Sequence, residues 1–91
     1  MIKIVYEPQS TRAAAYDDDI CIGESTYSNS ETMWIIDHTE VNENYGGKGI
    51  ASQLVEELVN QARSSAVKIL PLCPFANREF QKKKEYADVK L

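Results

Sequence analysis

The sequence has few of the residues that build metal centres and disulfide frameworks. Among its 91 residues are two cysteines, Cys21 and Cys73, and one histidine, His38. The cysteines do not form a C-x-x-C pair, and no His/Cys cluster is present. This pattern predicts neither a metal site nor a disulfide framework, and we expect both thiols to be reduced.

Long apolar runs are also absent. No run approaches the ~18 apolar residues of a membrane-spanning helix, so we expect no membrane partner. The opening segment Met1–Tyr6 is short and strand-like, unlike a signal peptide, which favours a cytoplasmic location. The hydrophobic share of 43% and the charged share of 26% are those of an ordinary globular protein, and the length predicts a single domain over residues 1–91.

Positive charge is scarce in the first half of the chain. The net charge is −4, which argues against a nucleic-acid partner. Residues 1–47 carry two cationic side chains and nine acids, giving −7, whereas residues 48–91 carry eight and five, giving +3. A basic second half suits a polyanionic ligand, and the acidic first half would attract a cationic amine. For Asp17, Asp18 and Asp19, a solvated turn is the preferred explanation.

Glycine is rare, but three of the four glycines stand together at positions 46, 47 and 49. Glycine allows positive φ and lets a ligand approach the backbone. Ile50 then opens an apolar pattern of helical spacing, so the free N–H groups of this loop lie at a helix N-terminus, which favours an anion. We predict a phosphate or pyrophosphate cradle, the alternative being a helix start that is merely glycine-rich. The cradle comprises Gly46, Gly47, Lys48, Gly49, Ile50 and Ala51.

Two common nucleotide-binding loops do not fit this stretch. A Walker A loop requires glycine five residues before Gly47 and Ser or Thr after Lys48, where the chain has Asn42 and Gly49. A dinucleotide fingerprint starting at Gly47 requires glycine or alanine at Ser52, and no βαβ unit with a downstream acid is evident.

The patterning predicts an α/β domain in the order β-β-β-β-α-β-α. Alternation and turn residues indicate strands over residues 2–6, 12–16, 20–27 and 32–39, with a possible bulge at Gly23 and a structural role for Cys21. Strict alternation places Trp34, Ile36 and His38 on one face of the fourth strand. A helix over residues 48–64, a parallel strand over 67–72 ending its pairing at Pro71, and a helix from Pro74 to Lys84 follow.

The glycine-rich loop resembles the acetyl-CoA signature of the GNAT superfamily of N-acetyltransferases. The pattern Gln/Arg-x-x-Gly-x-Gly/Ala falls on Gly46, Gly49 and Ala51, with only the first position departing from it. The order of elements over residues 20–86 is similar to the GNAT core. The segments Pro71–Phe75 and Asp37–Val41 look like those of a short, single-domain GNAT-like subfamily.

The resemblance implies acetyl-CoA as cofactor, with its pyrophosphate on the cradle. It also implies a mixed, mostly antiparallel sheet with two flanking helices, whose fourth and fifth strands run parallel and splay apart around the pantetheine arm. Thr39 and Val41 would then line one wall, and Pro74 and Asn77 the other. The helical acceptor segment of larger GNAT enzymes has no counterpart here.

Three residues are candidates for catalysis. Cys73 precedes Pro74 at a helix start, where the helix N-terminus stabilises a thiolate, although cysteine is often only a small buried hydrophobe. His38 would act as general base for an amine or for Cys73, or is a satisfied core histidine. Glu40 would act as a base through water, as carboxylates do in many GNAT enzymes, or is a solvated rim acid.

The leading interpretation is therefore an N-acetyltransferase that transfers acetyl from acetyl-CoA to an unidentified amine, directly or through Cys73. An acetyl-CoA-binding module without turnover and a small interaction protein are the alternatives.

Overall fold

The computed structural model describes every residue from Met1 to Leu91. Strands β1 (Ile2–Glu7), β2 (Arg12–Asp17), β3 (Ile20–Asn29) and β4 (Met33–Val41) are followed by helix α1 (Ile50–Ser65), strand β5 (Lys68–Pro71) and helix α2 (Pro74–Lys82). Short 3-10 turns occupy Pro8–Ser10, Glu43–Tyr45 and Lys84–Tyr86. The predicted order of elements is confirmed, with boundaries that differ by a few residues.

The strands form one five-stranded sheet in the order β1-β2-β3-β4-β5. The first four strands are antiparallel neighbours, and β5 runs parallel to β4 after the α1 crossover. The β4–β5 ladder ends at the pair Ile36–Pro71, as expected because proline has no N–H to donate. Beyond Ile36, β3 is therefore the only strand paired with β4.

Helix α1 packs its apolar stripe across the sheet. The residues of the predicted stripe are all buried, and the helix contacts every strand. Ala13 and Ala15 of β2 belong to the same core cluster, and their small side chains let the helix approach the sheet closely. The stripe consists of Ile50, Leu54, Val55, Leu58, Val59 and Ala62.

Three stacked aromatic side chains form part of the core beside β4. The Trp34 ring stacks on Tyr27 with centroids 4.2 Å apart and on Tyr6 at 6.2 Å. The hydroxyl groups of Tyr6 and Tyr27 share a hydrogen bond of 2.8 Å, so each phenol has a partner. The expectation that Trp34 is a core residue is confirmed.

A β-bulge in β4 changes the faces predicted for this strand. Thr26 pairs with His38 and Tyr27 pairs with Ile36, which leaves Asp37 as the extra residue. Thr39, rather than His38, therefore lies on the buried face with Trp34 and Ile36. The His38 side chain is turned to the opposite face and is 50% exposed. Its predicted position on the face of Trp34 is wrong because alternation resets at the bulge.

A second bulge lies in β3, at Ile22 beside Gly23. Here the backbone of β4 comes close, since a Cβ at Gly23 would stand 3.0 Å from the Glu40 carbonyl oxygen. The bulge predicted at this point is confirmed to within one residue.

Both helices contribute to one buried cluster on one face of the sheet, and the other face carries no helix. Cys21 is exposed and lines a cavity on this open face. Its predicted structural role inside an apolar strand is therefore wrong. Neither α1 nor α2 has the length and apolar character that a bilayer-crossing helix requires.

Candidate functional site

The glycine-rich loop adopts backbone conformations that favour glycine. Gly47 has φ 77° and Gly49 has φ 75°, both in the left-handed region. A Cβ placed on either residue would have no protein atom within 4 Å. The backbone of the loop therefore borders open space, which a ligand can approach without meeting a side chain.

The loop also leaves a row of backbone donors free. The Gly46 N–H donates to the Glu43 carbonyl at 3.1 Å, and the Gln53 N–H donates to the Gly49 carbonyl at 3.1 Å. Between these bonds, the N–H groups of residues 47–52 donate to no acceptor in the chain, and α1 has no side-chain N-cap. The row coincides with the positive end of the α1 dipole, which suits an anion.

A cavity of about 200 Å³ joins this loop to α2. It begins at the end of β4, passes the loop and the first turn of α1, and reaches the first turn of α2. Its lining residues are Val41, Tyr45, Gly46, Gly47, Gly49, Ile50, Ala51, Ser52 and Phe75.

Cys73 stands where β4 and β5 part. Its N–H donates to the Ile36 carbonyl at 2.8 Å, at the last paired position of β4. Its carbonyl accepts from the Asn77 N–H at 2.9 Å, which makes Cys73 the N-cap of α2, with Pro74 in the first turn. The side chain is 7% exposed. Cys73 therefore lies at the mouth of the opening between the strands, at a helix N-terminus.

The thiol of Cys73 faces a pair of hydroxyl groups, of which Thr39 was expected to line the opening and Ser25 was not expected there. Its Sγ atom donates to Thr39 Oγ1 at 3.6 Å, and Thr39 Oγ1 shares a 2.9 Å hydrogen bond with Ser25 Oγ. Ser25 is fully buried and pairs with Thr39 across β3 and β4. Small hydroxyl residues facing each other on neighbouring strands are the signal that would have revealed this chain of contacts.

His38 and Glu40 lie together on the open face of the sheet. His38 Nε2 is 3.1 Å from Glu40 Oε1, and both side chains are at least half exposed. Glu40 lines a cavity of about 350 Å³ together with Arg12 and Glu24. The Arg12 guanidinium is bound by Glu24 at 2.8 Å and Glu7 at 2.7 Å, and these hydrogen bonds raise the pKa of Arg12. The cavity thus opens beside the His38–Glu40 pair, on the sheet face away from the cradle.

A buried carboxylate on α2 binds the lysines that follow it. Glu79 is 2% exposed, with Lys83 Nζ 3.1 Å from Oε1 and Lys82 Nζ 3.3 Å from Oε2. Burial raises the pKa of Glu79, but hydrogen bonds from Lys83, Ser52 and Lys82 outweigh it and hold the pKa below its ordinary value. Glu79 therefore links α2 to the first turn of α1.

Tyr86 ends the 3-10 turn that follows α2. It is buried against Phe80, with ring centroids 5.2 Å apart, and the Lys83 ammonium lies 5.7 Å from its ring centre. These contacts place it at the C-terminal end of α2, whereas Cys73 caps the N-terminal end of this nine-residue helix. Such a helix is roughly 13 Å long, so Tyr86 packs at the opposite end of α2 from Cys73.

Residues 12–89 match the family described as GCN5-related N-acetyl-transferase. The chain is 31% identical to a GCN5-like N-acetyltransferase candidate from Staphylococcus aureus solved by NMR, with a TM-score of 0.78 over 98% of this chain and 87% of that one. It is 21% identical to a ribosomal-protein-alanine N-acetyltransferase from Brucella melitensis biovar Abortus, with a TM-score of 0.62 over 78% of this chain and 58% of that one. No curated protein is significantly similar. The chain belongs to the GCN5-related N-acetyltransferase family.

Proposed function

We propose that this protein binds acetyl-CoA and transfers its acetyl group to an amine. The observation that carries the proposal is the run of free N–H groups at residues 47–52, which opens into a cavity leading to α2. The pyrophosphate would accept hydrogen bonds from these amides at the α1 N-terminus. The pantetheine arm would follow the unpaired edge of β4 past Thr39 and Val41, with Pro74 and Asn77 on the opposite side.

Acetyl-CoA supplies an acetyl group activated as a thioester. Cys73 is placed at the parting of β4 and β5, where the thioester would lie. In a route through Cys73, its sulfur attacks the thioester carbonyl and the bond from acetyl to the CoA sulfur breaks. The proton that the Cys73 thiol loses is taken up by the departing CoA thiolate. The amine then attacks acetyl-Cys73, an amide forms, and the Cys73 thiolate is released. In a direct route the amine attacks the thioester itself, and Cys73 only lines the site.

The amine would approach from the open face of the sheet. Its nitrogen must lose a proton in either route, and Glu40 beside His38 is a titratable pair exposed on this side. Glu40 would accept the proton through a water in the adjoining cavity, and His38 would hold the Glu40 carboxylate. Glu24 lines the same cavity but is bound by Arg12, so Glu40 is the better exposed carboxylate for this purpose.

A second candidate function is acetyl-CoA binding without turnover. It is favoured by the connection between β1 and β2, which consists of the short turn Pro8–Ser10 and not of a helical segment that could shape an acceptor pocket.

The proposal is tested by replacing Gly49. Alanine at φ 75° introduces roughly 1–2 kcal/mol of backbone strain and places a methyl group in the cradle. Strain is separated from binding by adding Ala66→Gly, since Ala66 caps α1 at φ 57° and glycine relieves a similar strain there.

We expect the double variant Gly49→Ala/Ala66→Gly to fold with nearly wild-type stability and to bind CoA far more weakly in calorimetry. Ala66→Gly alone should bind CoA as the wild type does. Undiminished CoA affinity in the double variant would remove the loop from the site. A wild-type protein that gains no thermal stability from acetyl-CoA would overturn the proposal, because ligand at 100 times Kd adds about 2.7 kcal/mol.

A further inference from the structure

Tyr45 connects the cradle to the end of β2, two strands away from β4 in the sheet. Its hydroxyl donates to Asp17 Oδ2 at 2.5 Å, across 28 positions of sequence. Its ring packs against the hydrophobic core and lines the 200 Å³ cavity beside Gly46 and Gly47. Asp17 ends β2, and its other oxygen, Oδ1, is 3.2 Å from the N-terminal nitrogen of Met1.

The Tyr45–Asp17 hydrogen bond is the last tether before the free amides begin. The loop is entered through the Asn42 N–H, which donates to the Ile22 carbonyl at 2.7 Å. The next bonds stay within the loop, with the Asn44 N–H on Asn42 Oδ1 and the Tyr45 N–H on the Asn42 carbonyl, both at 2.9 Å. After Gly46, the next backbone N–H that donates a hydrogen bond is that of Gln53, in the first turn of α1. The position of residues 46–49 therefore depends on Tyr45 at one end and α1 at the other.

The charges of the pair favour a strong bond. The hydrogen bond from Tyr45, followed by the N-terminal amine, lowers the pKa of Asp17, and the bond to Asp17 raises the pKa of Tyr45. At neutral pH a protonated phenol therefore donates to an ionised carboxylate, the kind of hydrogen bond that is shorter and stronger than a neutral one.

We infer that Asp17 is a positioning residue for the anion cradle, acting through the hydroxyl of Tyr45. It holds the loop in the conformation that leaves the amides of residues 47–52 free for a ligand, although it does not border the cavity itself. This inference rests on the proposed binding of acetyl-CoA. The sequence had explained Asp17 only as part of a solvated turn.

The test compares Tyr45→Phe, Asp17→Ala and their combination. Tyr16→Phe is the matched control, since the Tyr16 hydroxyl donates to Glu7 Oε2, also at 2.5 Å, in β2 and away from the cradle. We expect each of the first two changes to weaken CoA binding by roughly fivefold or more, the lower end of the range for coupled sites. The combination should bind CoA no more weakly than the weaker of the two single variants, because the same Tyr45–Asp17 bond is lost in all three.

Asp17→Asn should restore part of the affinity, since its amide oxygen can still accept from Tyr45. NMR spectra of the free protein give a readout that does not depend on CoA. Tyr45→Phe and Asp17→Ala should shift the amide resonances of Gly47 and Gly49, and Tyr16→Phe should leave them in place.

Wild-type affinity in Tyr45→Phe, or additive losses in the combination, would overturn the inference while the proposed function stands. If the wild-type protein binds no CoA, the proposed function fails, and the glycine resonances decide the inference by themselves. Unmoved Gly47 and Gly49 signals in both single variants would then refute it.

Discussion

The thiol of Cys73 lies 3.6 Å from the hydroxyl oxygen of Thr39, and His38, the neighbouring residue on β4, points to the other side of the sheet. His38 therefore does not lie in the opening between β4 and β5, where a general base for Cys73 would be needed. The thiol contacts the Thr39 hydroxyl, which is bonded in turn to the Ser25 hydroxyl, and the pair His38–Glu40 lies on the open face of the sheet.

Thr39→Val should destabilise the protein by about 1–3 kcal/mol, because the fully buried Ser25 hydroxyl loses its partner. Adding Ser25→Ala should recover much of this loss, since no unpaired buried hydroxyl remains. Urea denaturation measures both effects. Thr26→Val is the control, next to Ser25 on β3. The Thr26 hydroxyl donates to Asp37 on the exposed face, so the loss of stability should be smaller. Equal losses for Thr26→Val and Thr39→Val would contradict the importance of the buried pair.

If transfer runs through Cys73, incubation with acetyl-CoA should add one acetyl group that hydroxylamine removes. Intact-mass spectrometry detects this adduct, which should vanish in Cys73→Ser and persist in Cys21→Ser. Cys21 makes a demanding control because it is exposed whereas Cys73 is buried. Simple access should therefore make Cys21 the faster thiol toward iodoacetamide. An adduct that appears equally on both thiols would indicate non-specific acylation, and amine acetylation without any adduct would establish direct transfer.

The affinity for CoA should fall as ionic strength rises, because phosphates held near exposed cations are screened by salt. Lys48 is exposed within the cradle and makes no ion pair, so Lys48→Gln should lower both the affinity and its dependence on salt. Lys82→Gln should have less effect, since Lys82 is already bound by Glu79. Calorimetry at two salt concentrations measures these changes, with Lys3→Gln on β1 as the control. The same salt dependence for CoA and for pantetheine would argue against phosphate recognition.

Glu79 should make stability depend on pH in the acidic range. Its pKa lies below the ordinary value of 4.5, so the ionised form is the one that the fold stabilises. This contribution is present above the unfolded pKa and is lost as pH falls through the lower folded pKa. Glu79→Gln should therefore lower the free energy of unfolding at pH 7 by about 1–3 kcal/mol, and the deficit should shrink toward pH 4 and below.

Urea denaturation at several pH values checks the Glu79 prediction. The exposed Glu85, which makes no ion pair, provides Glu85→Gln as the control. A Glu79→Gln deficit that stays constant from pH 7 to pH 3 would show that packing, rather than charge, is what Glu79 contributes.

Local patterns were enough to predict the elements and the backbone conformation of the glycine-rich loop. The apolar spacing from Ile50 to Ala62 repeats with the helix period, so the buried stripe of α1 could be identified residue by residue. The glycines at positions 47 and 49 indicated a backbone that only glycine adopts easily, and both have positive φ. Periodicity and backbone freedom are properties of short stretches, which is why they are visible in the sequence.

The sequence by itself thus determined the order of strands and helices and the backbone of the glycine-rich loop. Which side chains meet was decided by the tertiary structure. Asp37 became the extra residue of β4 only through pairing with β3, and this single insertion exchanged His38 for Thr39 beside Cys73. Likewise, Cys21 is exposed because the helices cover one face of the sheet. Strand register and layer order depend on contacts between distant segments, and such contacts leave no periodic trace in the chain.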